Sequence, residues 1–294
     1  MPGAPFHRVT ILGTGLIGGS FALALRKHFP DARVVGFDRP DVLERAISSG
    51  VLHGACSNLQ DAVRDAGLVY IALPIRTAIE SLPAIAAAAA STALVTDACS
   101  TKSVIGHEAA RHFPNRNGAR FLGGHPIAGS ESCGLENAGA DLFCGSRYAL
   151  IGPEPETAAG ESDPRVQSFV SLLRAIGAEP VWCDADTHDW AAGIVSHLPQ
   201  LASIALARVV QDESDETGLP VSLAGRGLRD TLRLAGSPYS VWRDICLTNS
   251  DNLSRALDRL AQAVDYLRTN LASRELESEF RAANELYKSL NHMK

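Results

Sequence analysis

The chain has 294 residues, 46% of them hydrophobic and 20% charged, an ordinary globular composition with length enough for two domains and a sizeable core. Its formal charge of −6 is spread along the sequence without a basic patch, which argues for a soluble protein and against nucleic acid as the partner. Six cysteines with no Cys-x-x-Cys pair, and no secretory leader, point to a reducing cytoplasm; the most apolar stretch, 82–95, is interrupted by Pro83 and falls short of the roughly 20 residues a membrane span needs.

From the N-terminus, an apolar β-branched run at 8–12, a helical pattern at 16–28 and a second run at 33–37 form a βαβ unit. Between the first strand and the helix lies Gly13-Thr14-Gly15-Leu16-Ile17-Gly18. In this spacing Gly13 permits a tight turn, Gly15 lets the backbone approach a pyrophosphate, and Gly18 allows close packing of helix on strand, with the amides of Leu16 and Ile17 opening the helix toward the phosphates. Asp38 follows the second strand, where a carboxylate accepts from ribose hydroxyls and repels a 2′-phosphate. That favours NAD, while the neighbouring Arg39 keeps NADP open. In the competing reading Asp38 only caps the helix that starts near Asp41.

Further strands are predicted at 68–73, 93–96, 120–123, 148–151 and 179–182, with helices between several of them, so a mostly parallel, twisted sheet carries helices on both faces. Leu73-Pro74 ends one of these strands at the start of a helix and should border the nicotinamide half of a bound dinucleotide. The Pro-, Glu- and Gly-rich stretch 152–164 reads as an exposed loop within the domain. After Cys183 strand signals stop and helical patterns run to the end, including 251–271 and 276–290. The fold class is therefore α/β, with a Rossmann-type dinucleotide domain at 1–183 and an all-helical substrate and dimerisation domain at 184–294. No regulatory module is expected after residue 290.

The chemistry-bearing residues sit in loops and in the helical half. His125 lies among glycines and small polar residues just past a strand, where α/β ligand sites gather. His197 precedes Pro199, whose missing amide should leave the carbonyl of Val195 unpaired and bend a helix beside it. Arg226, Arg229 and Arg233, spaced by three and then four, place three cations on one helical face that Asp230 only partly neutralises. Asp184, Asp186, His188 and Asp189 raise a metal site, but acids at a helix start read better as capping, and no metal is implied. Cys99 and Cys133 read as small buried hydrophobes. Alone, these features reach a nicotinamide-dependent oxidoreductase.

The turn Gly13–Gly18, the run Asp97-Ala-Cys-Ser-Thr-Lys102, the loop Gly123-Gly-His-Pro-Ile-Ala-Gly-Ser-Glu131, Ser196-His-Leu-Pro-Gln200, Arg233 and Trp242-Arg-Asp244 together resemble the prephenate dehydrogenases, the prephenate, arogenate and cyclohexadienyl dehydrogenases of tyrosine biosynthesis. The likeness covers nearly the whole chain in order. It implies oxidative decarboxylation of prephenate to 4-hydroxyphenylpyruvate with hydride transfer to NAD, His125 as the base, and Ser100 as the residue orienting it and touching the nicotinamide. It further implies substrate contact by His197, by Arg233 through a carboxylate and by Trp242 as a flat wall, with Ser130 and Glu131 on the substrate side and a homodimer as the assembly. An arogenate or dual-specificity enzyme is the near alternative, since only the side-chain end of the pocket separates the substrates; a non-catalytic dinucleotide sensor is the distant one.

Overall fold

The computed structural model describes residues 4–114, 118–128, 133–152, 163–214 and 218–292. They group into two compact units, 1–250 and 251–294.

In the first unit β1 (Arg8–Leu12), α1 (Leu16–His28) and β2 (Arg33–Phe37) form the expected βαβ unit. After α2 (Pro40–Ser48), the short β3 (Gly54–Ala55) and α3 (Leu59–Val63), the chain returns as β4 (Leu68–Ile71), α4 (Ile75–Ala88), β5 (Leu94–Asp97), α5 (Ser103–His112) and β6 (Arg120–Leu122). The six strands lie in the order β3-β2-β1-β4-β5-β6, and every neighbouring pair is parallel. Such a sheet is covered on both faces, so its strands are apolar throughout. Leu68 and Tyr70 of β4, with Leu94 of β5, enter one core, where Phe21 stacks on Tyr70 at 3.9 Å. Val69, Ile71 and Val95 point the other way, onto Ile75, Leu82 and Ile85 of α4 and Ile105 of α5. The period of two along each strand thus sorts side chains between two cores.

One expectation changes. In place of a single sheet there are two, because β7 (Gly124–Pro126), β8 (Arg147–Ile151) and β9 (Glu179–Cys183) form a separate three-stranded sheet in which β7 runs antiparallel to β8 and β8 parallel to β9. Only Gly123 separates β6 from β7, and α6 (Pro164–Ala175) connects β8 to β9. Hydrogen bonding explains the break: the Gly124 amide donates to Asp97 Oδ1 (3.1 Å) and its carbonyl accepts from Lys102 Nζ (2.6 Å), so side chains take the backbone groups a neighbouring strand would have used. Tyr148 of β8 donates to the Tyr70 hydroxyl at 3.2 Å and ties the second sheet to the first.

After β9 the chain is helical. α7 (Ala185–Ala192) runs through a π-helical segment, Gly193–His197, into α8 (Leu198–Asp212), followed by α9 (Leu219–Ser222), α10 (Arg226–Leu232), a 3₁₀ turn (Arg233–Gly236) and α11 (Tyr239–Thr248). Where a bend and an unpaired Val195 carbonyl were expected before Pro199, the structure has this π segment: the Leu198 amide bonds back five residues to Gly193, which widens the turn just ahead of a ring that cannot donate. The continuous run Ala185–Asp212 is long and apolar enough to cross a membrane by length and composition, a property the sequence reading did not find; it carries the buried His188, Asp189 and His197. The second unit consists of α12 (Ser250–Thr269), which begins at its boundary, and α13 (Leu276–His292).

Candidate active site

The glycine turn has the shape its sequence requires. Gly13 adopts φ +90°, and a Cβ there would lie 2.4 Å from the Ala72 carbonyl oxygen; a Cβ on Gly18 would lie 1.9 Å from Gly13 O, whereas Gly15 faces open space. No side chain caps the N-terminus of α1 and no acid occupies its first turn, so its amides stay available to an anion. Asp38 does not cap α2. Its Oδ2 accepts from Thr14 N (2.6 Å) and Thr14 Oγ1 (3.1 Å) and its Oδ1 from Arg39 N (2.7 Å), which braces the turn and leaves acceptor capacity for a ribose. Arg39 is exposed, with Asp41 4.0 Å away. Leu73 and Pro74 follow β4 beside the turn, Pro74 standing as the residue before α4. These residues fit a dinucleotide.

His125 sits in the middle of β7, held by the clamp on Gly124. Asp97 and Lys102, both with fully buried side chains, make a short ion pair, and Asp97 Oδ2 also accepts from Cys99 N at 3.0 Å. The His125 ring is half-buried. Its Nδ1 lies 2.9 Å from Nε2 of His188, whose own Nδ1 lies 2.8 Å from Asp189 Oδ1. Burial, with His188, Lys102 and His197 nearby, pushes His125 well below the ordinary histidine range, so the ring is an unprotonated base at neutral pH.

The second histidine belongs to the same cluster. Asn249 Nδ2 donates to the Asp189 carbonyl (2.8 Å) and to His197 Nδ1 (3.1 Å). The His197 proton therefore resides on Nε2, which is buried without a partner among the described residues, as is Nε2 of Gln200 one helical turn on. Burial pushes His197 down to about 4, with Asp189 opposing and His188 reinforcing the shift, so it is a neutral donor. Trp242 meets its ring edge-on at 5.8 Å.

The remaining expectations fare unevenly. Ser100 makes no hydrogen bond to His125 among the described residues; the ring's partner is His188. Arg226 and Arg229 are exposed on α10, but Arg233 lies beyond the end of that helix, in the 3₁₀ turn, so the three do not share one α-helical face. Ser203 of α8 holds that turn, donating to Thr231 O (2.9 Å) and accepting from Ala235 N (3.2 Å). Ser130 and Glu131 lie outside the described residues, as does most of the 152–164 loop. Of the acidic cluster, Asp184 does cap α7 through Thr187 N, while Asp189 reaches across to the first amides of α5. Cys99 is buried and its thiol pushed up by burial, but Cys133 is exposed. Sequence reasoning missed the Asp97–Lys102 clamp and the pairing of His188 with Asp189 behind His125; the signals present were the Asp97–Lys102 run, of which Ser100 alone was given a role in the site, and the acidic cluster, read as capping.

The profile of the prephenate dehydrogenase nucleotide-binding domain matches residues 21–181, and that of the prephenate dehydrogenase dimerization domain matches 184–286. The chain belongs to the prephenate dehydrogenase family. Within that family it is 31% identical to the prephenate dehydrogenase of Bacillus subtilis over 278 residues, 93% of this chain and 72% of that one. Prephenate dehydrogenase from Aquifex aeolicus in complex with hydroxyphenyl propionate and NAD+ superposes with a TM-score of 0.85 at 25% identity, covering 98% of both chains. The arogenate dehydrogenase of Synechocystis does so with a TM-score of 0.77 at 26% identity, over 98% of this chain and 100% of the other. The family match begins after the glycine turn, so the case for Gly13, Gly15 and Gly18 rests on their geometry.

Proposed function

We propose that this protein is an NAD-dependent prephenate dehydrogenase, converting prephenate to 4-hydroxyphenylpyruvate by oxidation of the ring alcohol coupled to loss of the ring carboxylate as carbon dioxide. The observation that carries the reading is an unprotonated histidine, His125, held on a braced strand near His197, whose Nε2, like that of Gln200 one turn on, is buried with no partner among the described residues. What a bound nicotinamide supplies is the hydride acceptor; Gly13, Gly15, Gly18, Leu16 and Ile17 would take its pyrophosphate, Asp38 its ribose, and Leu73, Pro74 and Ser100 would border its other half. His125 takes the hydroxyl proton. His197 and Gln200 donate to an oxygen of the substrate, and their desolvation makes an unmatched substrate costly. Arg233 engages a carboxylate, Trp242 walls the ring, and Ser130 and Glu131 complete the substrate side.

The domain boundary in this proposal falls at 183/184, supported by profiles that end at 181 and begin at 184. The assembly is a homodimer through the helical half, and the compartment is the cytoplasm, in keeping with six free thiols.

The test is absorbance at the reduced nicotinamide band with prephenate or arogenate supplied separately, each with NAD and with NADP. Turnover of prephenate with NAD is expected, and His125→Asn should lower kcat by about 10²–10⁴-fold with cofactor affinity unchanged. Preference for arogenate would correct the substrate alone. Equal loss of turnover and cofactor affinity in His125→Asn would remove the base role.

A further inference from the structure

Behind His125 stand two buried groups that bind neither substrate nor cofactor in the scheme above, His188 and Asp189, 5% and 2% exposed. Asp189 Oδ1 accepts from Lys102 N (2.6 Å) and Oδ2 from Ser103 N (2.9 Å), at the start of α5. Burial works against its charge, but the bonds from His188, Ser103 and Lys102 outweigh burial and hold the carboxyl below its ordinary range. An ionised carboxylate only accepts, so the bond to His188 has one possible donor, the His188 Nδ1–H. In a neutral ring Nε2 then carries the lone pair. That atom faces His125 Nδ1 at 2.9 Å, and His125 must supply the proton of that bond. The lone pair left on His125 is at Nε2.

We propose that His188 and Asp189 are positioning residues that fix His125 as the Nδ1–H tautomer, making Nε2 the atom that takes the substrate proton, and that they stabilise the ring once it is charged. The inference rests on the reading of His125 as the base. The proton passes from the substrate hydroxyl to His125 Nε2; the Nδ1 proton stays in its bond to His188, His188 keeps its own, and no other group changes protonation. The charged ring then has an acceptor backed by a carboxylate. The other groups near it, the Lys102 ammonium paired with Asp97 and the neutral His197 of the π segment, offer no such acceptor.

The tautomer is read without turnover. Full-length protein labelled with ¹⁵N-histidine, in long-range ¹H–¹⁵N spectra at about pH 8, where an ordinary histidine is neutral, should show both His125 and His188 protonated on Nδ1. Asp189→Asn keeps an oxygen on the Lys102 amide and the His188 Nδ1–H, which share Oδ1, but removes the carboxylate charge behind the ring. The tautomers should stay as in the wild type while kcat falls by about 10²-fold, with KM within about threefold. His188→Gln presents an amide oxygen to His125 and an N–H to Asp189 and should keep kcat within about tenfold, whereas His188→Leu should lose at least about a hundredfold. A wild-type His125 protonated on Nε2, or Gln and Leu variants equally impaired, would overturn the proposal. Failure of the base reading has its own signature, an active His125→Asn protein with the wild-type tautomers intact.

Discussion

Lys102 is 1% exposed, and its ammonium has for company Asp97 and one backbone carbonyl. An ion pair so placed contributes little net stability, since desolvation offsets most of the attraction; what it secures is geometry. Here both ends of the pair also grip Gly124, one through its amide and one through its carbonyl, one residue before His125. Removing one partner is another matter, because the survivor is left charged and buried. Lys102→Met should cost about 3–5 kcal/mol and lower the melting point by roughly 10 °C. Adding Asp97→Asn should recover part of that loss by removing the stranded charge. A melting point within about 3 °C of wild type in calorimetry would mean that water reaches Asp97 and that the clamp is not closed. Neither residue is legible in isolation: a lysine five positions after an aspartate reads as a solvated pair, and only a strand arriving from 22 residues further on makes it a buried one.

At the scale of elements, β7 shows how the site depends on a glycine. A Cβ on Gly124 would meet the Asp97 carbonyl oxygen at 2.8 Å, Tyr148 Cε1 at 3.0 Å and Thr96 Oγ1 at 3.1 Å, and the first of these is backbone of β5 that cannot turn aside. Gly106 in the interior of α5 has nothing within 4 Å of the same atom. The two alanine substitutions should therefore differ in sign. Gly106→Ala gains up to about 1 kcal/mol of helix propensity, while Gly124→Ala forces β7 outward at a cost of about 1–3 kcal/mol and moves His125, lowering kcat as well as stability. Equal effects of the two in denaturant titration would show β7 to be looser than its contacts imply. That the helix is irregular before Pro199 was legible, as a bend and not as the π segment found there; the split between the sheets was not, because it follows from Asp97 of β5 and Lys102, just ahead of α5, capturing Gly124. The pairing of His125 with His188 escaped for the same reason, residues 63 apart in sequence meeting through tertiary structure alone.

Across the whole molecule, the N-terminal half was readable because buried parallel strands are short apolar runs between helices with a period of their own, though their order in the sheet is known only from the structure. The helical half was readable as helices but not in its purpose, since an amphipathic pattern does not say what covers the apolar side. In the second unit much of it is uncovered: Leu271 is 72% exposed, Phe280 68% and Tyr287 68%. Large apolar side chains gathered in one part of a chain mark a surface that another protein buries, and the profile matching 184–286 is that of a dimerization domain. The homodimer proposed above would bury that surface. Purified protein at micromolar concentration should sediment as a dimer. Because Leu271 and Phe280 are exposed within the protomer, replacing both with aspartate should leave the far-ultraviolet circular dichroism unchanged while converting the dimer to monomer, as four buried carboxylates across a two-fold interface repel and lose solvation. A monomeric wild type, or a double variant that still sediments as a dimer, would place the contact elsewhere.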